Sequence, residues 1–303
     1  MSSLIQDEPV RLVVNADDFG YSPEISRGIL ECAQKGIVTA TGVFGNAPKL
    51  GETVRMLADA PALEPGMHLT LTYGEPLTSA MRQALARFGG RFPGKVSMAM
   101  LITRGRVGAT ALRDELRAQV DACLRHGMRI AFLNAHEHIH MHSRVFPIVC
   151  AIARELGVRF VRITQPDVVG GGGLGGLARG LIIRSLAPRA VDGVEGDIRF
   201  LGLARSGRID FSYLESVFER MHPGHAYELM CHPGFSDPAL ARVERLRRYH
   251  DWDLERRTLQ DPRLPALLAE RNVTLSRFSE LFVPSEAEAK SERQEEAGEQ
   301  VLP

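Results

Sequence analysis

Val10-Arg11-Leu12-Val13-Val14-Asn15-Ala16-Asp17-Asp18-Phe19-Gly20-Tyr21-Ser22-Pro23-Glu24 is the stretch that decides the fold class. Its first six residues are mostly apolar and rich in valine, the composition of a strand covered on both faces. The run ends in Ala16-Asp17-Asp18-Phe19-Gly20. A helix then starts near Ser22-Pro23-Glu24, with serine as N-cap and proline at the first helical position. That helix carries Ile25, Ile29, Leu30 and Ala33 and stops before Gly36. A buried strand that turns through an acidic corner into a helix is the opening of a βα unit.

The pattern recurs along the chain. Ile37 to Phe44 reads as a strand, Lys49 to Ala60 as a helix, and Gly66 to Thr72 as a strand carrying His68. Arg113 to His126 has Leu116, Val120 and Leu124 on one helical face. A helix through Val145 to Leu156 and a strand from Val158 to Thr164 follow. This alternation predicts a largely parallel sheet, open or closed into a barrel. Thr78 to Val107 interrupts it as a long connection suited to substrate contacts or a lid. Asp167 to Gly180 holds Gly170 to Gly173, Gly175 and Gly176 but lacks the Gly-Lys-Ser/Thr ending of a phosphate loop, so it reads as a mobile loop. Pro284 to Pro303, rich in Glu, Ala, Lys and Gln, reads as a disordered tail. The expected organisation is one domain over 1–283 and a tail over 284–303. Arg242 to Arg257 reads as a solvated helix face, with an interface or membrane-surface contact as alternatives.

Composition narrows the function. The 303 residues are 44% apolar, enough for a sizeable core, and Lys+Arg and Asp+Glu both number 37. Zero formal charge argues against nucleic-acid binding as the main function, which calls for a basic excess. Cys32, Cys123, Cys150 and Cys231 are scattered without CxxC spacing, as expected of reduced thiols in a cytoplasmic protein. The polar start, Met1 to Glu8, does not resemble a signal peptide, and no apolar run is long enough to span a membrane.

Leu133-Asn134-Ala135-His136-Glu137-His138-Ile139-His140-Met141-His142 packs four of the ten histidines into seven residues behind an apolar run from Ile130. If the strand continued, alternate side chains would place His136, His138, His140 and His142 on one face. Imidazole ligates metals and titrates near neutrality, so the cluster suggests a metal site, a proton-transfer site or both. A polar edge or a set of hydrogen-bonded core histidines is the competing reading. Ligands of parallel α/β folds bind at the carboxyl ends of strands. Four such ends carry ionisable groups: Asp17-Asp18, His68, His136, and His232 after Tyr227 to Cys231. Taken singly, the aspartates are candidates for a helix cap, His68 for a core histidine and His232 for a turn residue. Together, a carboxylate and two imidazoles form a mixed donor set suited to zinc or another first-row divalent ion.

At this point the chain resembles a known family. Val14 to Gly20, Gly36 to Thr41, Gly66-Met67-His68-Leu69, His136-x-His138-x-His140 and Met230 to Gly234 are similar to motifs of the YdjC-like carbohydrate deacetylases, which include chitooligosaccharide and hopanoid-associated enzymes. The matches run in order from about residue 10 to about 240. The resemblance implies a distorted or incomplete (β/α) barrel of mostly parallel strands, with the architecture of NodB-type deacetylases. It implies one divalent metal ion, magnesium or zinc first and manganese, cobalt or nickel as alternatives, held by Asp18, His68 and His136. Asp17 would be the general base and His232 a candidate general acid, with Arg162 orienting a carboxylate or the substrate. His138, His140 and Asn46 would be left for substrate binding, with His142 in support. One position departs from the pattern. The family often has Asp before the histidine motif, where this chain has Asn134, which hydrogen-bonds but adds no charge. Asn134-Ala135-His136 and Phe200 to Ala204 are similar to the hopanoid-associated branch, which points toward a lipid-linked amino sugar.

The implied activity is hydrolysis of an N-acetyl group on an amino sugar of an oligosaccharide or glycolipid. The resemblance also suggests a homodimer. Two rivals are a metal-dependent phosphoesterase and a non-catalytic sugar- or metal-binding protein on the same fold.

Overall fold

The computed structural model describes residues 8–165, 198–243 and 249–281. The glycine-rich stretch at 170–176, the tail from Pro284 and residues 244–248 of the charged segment lie outside the described residues. Eight strands form one parallel sheet: β1 (Val10–Phe19), β2 (Ala40–Val43), β3 (Glu64–Leu69), β4 (Phe132–Ala135), β5 (Phe160–Val161), β6 (Ile198–Leu201), β7 (Ala226–Cys231) and β8 (Val273–Leu275). Their order is β5-β4-β3-β2-β1-β7-β6, with β8 alongside the first half of β1. Among the described residues the two outer strands do not pair with each other, so the sheet is an incomplete barrel.

Helices fill the connections. They are α1 (Pro23–Lys35), α2 (Leu50–Met56), α3 (Ser79–Ala84), α4 (Lys95–Thr103), α5 (Ala109–Arg125), α6 (Phe146–Glu155), α7 (Phe211–Phe218), α8 (Pro238–Ala241), α9 (Trp252–Thr258), α10 (Leu264–Glu270) and α11 (Phe278–Leu281). The start of α1 follows from its sequence: the Ser22 hydroxyl accepts the Ile25 N–H at 3.3 Å, with Pro23 in the first turn. Ile25, Ile29 and Cys32 on its inner face are buried. In β1, Leu12, Val13 and Val14 are all fully buried, as a strand covered on both faces requires.

The long connection Thr78 to Val107 contains α3 and α4, and its start is pinned by Glu115 of α5, which accepts the N–H groups of Leu77 and Thr78. Three expectations need correction. Leu124 is 39% exposed while Leu116, Val120 and Cys123 are buried, because at 3.6 residues per turn the inner face passes through Cys123 rather than Leu124. Two strands are shorter than their apolar runs: only Ala40–Val43 of Ile37 to Phe44 and Phe160–Val161 of Val158 to Thr164 are in strand. Within Arg242 to Arg257, Trp252 and Glu255 are buried, so α9 turns an inner face to the core rather than lying wholly in solvent. Among the described residues, no helix is long and apolar enough to cross a membrane. All four cysteines are buried free thiols.

Candidate metal centre

The centre is built where β1 ends. From Ala16 to Phe19, three steps along β1 match the two from Thr41 to Val43 on β2, so one extra residue bulges out. Asp18 sits in that bulge with a left-handed φ of 74°. Neighbours on a regular strand face opposite ways. The bulge cancels that alternation, and the two adjacent carboxylates both reach partners on β3 and beyond. Gly20 follows at φ 93°, where a side chain would be strained and would crowd Thr53 and Ala47.

His68 on β3 and Asn134 on β4 are direct register partners, and His136 follows two residues later. One Asp18 oxygen lies 3.2 Å from His68 Nε2 and 3.0 Å from His136 Nδ1, and the two ring nitrogens are 3.4 Å apart. Ligand atoms of these three residues therefore form a compact triangle. Edges of that length are those of a tetrahedron around an ion with ligand bonds of roughly 2.0–2.1 Å. One carboxylate and two imidazoles of this spacing fit a divalent ion and leave one face of it open.

Around the triangle lies a second set of charges. Arg162 donates to both oxygens of Asp17, at 2.6 and 2.9 Å, and to Glu228 at 2.6 and 2.9 Å. Asn15 donates to the same Glu228 oxygen at 2.8 Å. All four residues are buried. Burial opposes the charge on Asp17, yet Arg162 and then His68 hold its carboxyl below the usual carboxylate range. Asp18 is also opposed by burial and is taken well below that range by His136 and His68. Burial disfavours the imidazolium of His68, but Asp17 and Asp18 outweigh it and raise the group above its ordinary value.

The four histidines do not share a face. β4 stops at Ala135, and His136–Met141 winds into a tight turn with Glu137 and His138 at φ 52° and 57°. Left-handed residues break a period-two pattern, so each imidazole is sent elsewhere. His136 joins Asp18. The His138 ring meets the Thr164 hydroxyl at 3.0 Å. His140 is fully buried and donates Nε2–H to the Arg162 carbonyl at 2.8 Å. The His142 ring faces the Thr103 hydroxyl at 2.9 Å. Burial drives His138 well below its ordinary pKa and His140 down to about 3. The structure thus does not bring His138, His140 or His142 to the triangle.

Asn46 is half-buried and spends its amide nitrogen on the carbonyls of Tyr73 and Glu75. His232 stands just past the β1–β7 pair Ala16–Cys231, which sets it beside Asp17 in the register. Burial lowers its pKa against the pull of Asp18 and Asp17. Its Nδ1 has no hydrogen-bond partner among the described residues. Tyr21 and Tyr73 stack at 4.1 Å between centroids, and both rings lie within about 6 Å of His136, giving the centre an aromatic wall. Sequence reading passed over Glu228, Asn15 and this tyrosine pair. A lone Glu inside the apolar strand Tyr227 to Cys231 was the available signal for the first.

Comparison with known proteins matches this framework. The YdjC-like protein family model covers residues 11–270. A carbohydrate deacetylase of Geobacillus stearothermophilus is 31% identical over 276 residues, spanning 90% of this chain and 99% of that one. A carbohydrate deacetylase of Homo sapiens is 32% identical over 305 residues, spanning 90% and 91%. Among solved structures, a protein of Enterococcus faecalis V583 proposed to cleave cellobiose phosphate superposes with a TM-score of 0.70 over 91% of this chain and all of the other. At 22% identity that likeness is one of fold.

Proposed function

This chain belongs to the YdjC-like protein family, and on that premise we propose that it is a metal-dependent carbohydrate deacetylase that removes an N-acetyl group from an amino sugar. The observation that carries the reading is the Asp18–His68–His136 triangle with the Asp17 carboxylate fixed beside it. A divalent ion held by those three residues would polarise the acetyl carbonyl and lower the pKa of a bound water.

The protein's own residues supply the remaining steps. Asp17 is kept ionised by Arg162, so it stands ready to take a proton from the attacking water. Its Oδ2 carries one hydrogen bond among the described residues, from Arg162, which leaves a lone pair for that proton. His232, on the neighbouring strand end, gives a proton to the departing amine, and free amine and acetate result. Tyr21 and Tyr73 offer an apolar surface for a sugar ring or the acetyl methyl.

Acetate release is the test. Metal-stripped protein is supplied with zinc, magnesium, manganese, cobalt or nickel singly and offered N-acetylated oligosaccharides and glycolipids. Release of acetate with one or more metals is expected. No acetate from any sugar with any metal would refute the reading.

A further inference from the structure

The amide of Asn134 lies between the two parts of the site. Its Oδ1 is 2.6 Å from His68 Nδ1, and its Nδ2 donates to Asp17 Oδ1 at 3.0 Å. All three residues are buried. An amide has one accepting end and one donating end, and which is which follows from its neighbours. Asp17 is an ionised carboxylate gripped by Arg162 and can only accept. Reversing the amide would set oxygen against oxygen at 3.0 Å, with no proton between them. The NH₂ therefore faces Asp17 and the oxygen faces His68. An oxygen at 2.6 Å requires a proton on His68 Nδ1, so the nitrogen left to hold an ion is Nε2, which lies 3.2 Å from an Asp18 oxygen and 3.4 Å from His136 Nδ1.

A second observation bears on the same contact. Gly42 of β2 packs beside this hydrogen bond, and a Cβ there would lie 3.0 Å from His68 Cβ and 3.2 Å from both Asn134 Oδ1 and His68 Nδ1. The neighbouring strand thus leaves room for the pair by having no side chain.

We propose that Asn134 is a positioning residue that couples Asp17 to His68. The carboxylate sets the direction of the amide, and the amide locks His68 into the Nδ1–H form whose other nitrogen faces the metal centre. The inference rests on the metal-centre reading above. It also accounts for an uncharged side chain at this position: a carboxylate could hold His68 but could not donate to Asp17. Partners of this kind on metal-ligating imidazoles change metal affinity by roughly 10–100-fold.

The test measures zinc binding by calorimetry on stripped protein, with ¹⁵N spectra of histidine-labelled protein. Asn134→Leu is expected to weaken zinc binding about 10- to 100-fold and to let His68 populate both neutral forms. Asn134→Asp, which keeps an acceptor toward His68, is expected to bind zinc within about threefold of native or more tightly, by the same logic. Zinc binding by Asn134→Leu equal to native, with His68 still protonated at Nδ1, would overturn the proposal. Should that variant fail to fold, Gly42→Ala decides: it crowds the pair without removing it, several-fold weaker zinc binding is expected, and native affinity overturns the proposal. A native protein that binds no metal would instead sink the reading beneath it.

Discussion

Arg162 and Asp17 face each other as a two-pronged pair, guanidinium nitrogens at 2.6 and 2.9 Å from the two carboxylate oxygens, with neither side chain open to solvent. Glu228 shares the same guanidinium. Removing the cation strands two buried carboxylates. Arg162→Met is expected to cost about 3–5 kcal/mol of stability in urea unfolding. Arg162→Lys should recover only part of this, because an ammonium cannot reproduce the planar fork. Stability of Arg162→Met within about 1 kcal/mol of native would count against a structural role for the pair.

Asp17→Asn removes the proposed base and keeps the shape. Turnover at saturating metal is expected to fall by about 10²–10⁴-fold. Metal affinity should stay within about tenfold, since Asp17 is outside the triangle and its Oδ1 stands 3.8 Å from His68 Nδ1. Turnover near the native rate would take the base role from Asp17.

His136→Ala leaves two donors where the centre has three. Stoichiometric metal retained through gel filtration should be lost, and with it the thermal shift on adding metal. The native protein at a free metal concentration 100 times its Kd is expected to gain about 2.7 kcal/mol of stability. An equal shift in the variant would place the ion elsewhere.

His140 ties the pH dependence of folding to a histidine outside the centre. Burial holds it down to about 3, so the folded protein keeps it neutral while the unfolded chain protonates it near its ordinary value. The unfolded state then binds more protons between about pH 6.5 and 3, so stability conferred by the buried neutral ring is complete above that window and is lost as pH falls through it. His140→Gln, which keeps an N–H for the Arg162 carbonyl, should show a shallower acid loss of stability than native. Parallel curves from urea titrations at pH 4.5 and 7.5 would contradict this.

Much of the fold was legible because strand and helix each imprint a period. Val10 to Asn15 and Ser22-Pro23 announced β1 and α1 within a few residues, and the family resemblance pointed to Asp18, His68 and His136, whose ligand atoms the structure gathers within 4.8 Å of one another. What escaped was backbone that breaks its own period. Nothing in Ala16-Asp17-Asp18 announces a bulge, and nothing in His136-Glu137-His138 announces two left-handed residues. Extrapolating β4 through the histidines therefore grouped four side chains that the turn separates. Asn134 looked like a loss of charge in the sequence. Its meaning needed the register that sets it beside His68.

Asp18 holds a left-handed backbone, and it does so at the residue that gathers both imidazoles. A left-handed φ on a residue with a side chain costs of order 1 kcal/mol, less for Asp than for bulkier residues. Glycine at this position would fold with less strain and remove one of the three candidate ligands. Asp18→Gly should therefore match or exceed the melting temperature of metal-free native protein, and fall below native once metal is added. Folding and the proposed chemistry pull in opposite directions at a single residue, and a bound cation would reconcile them.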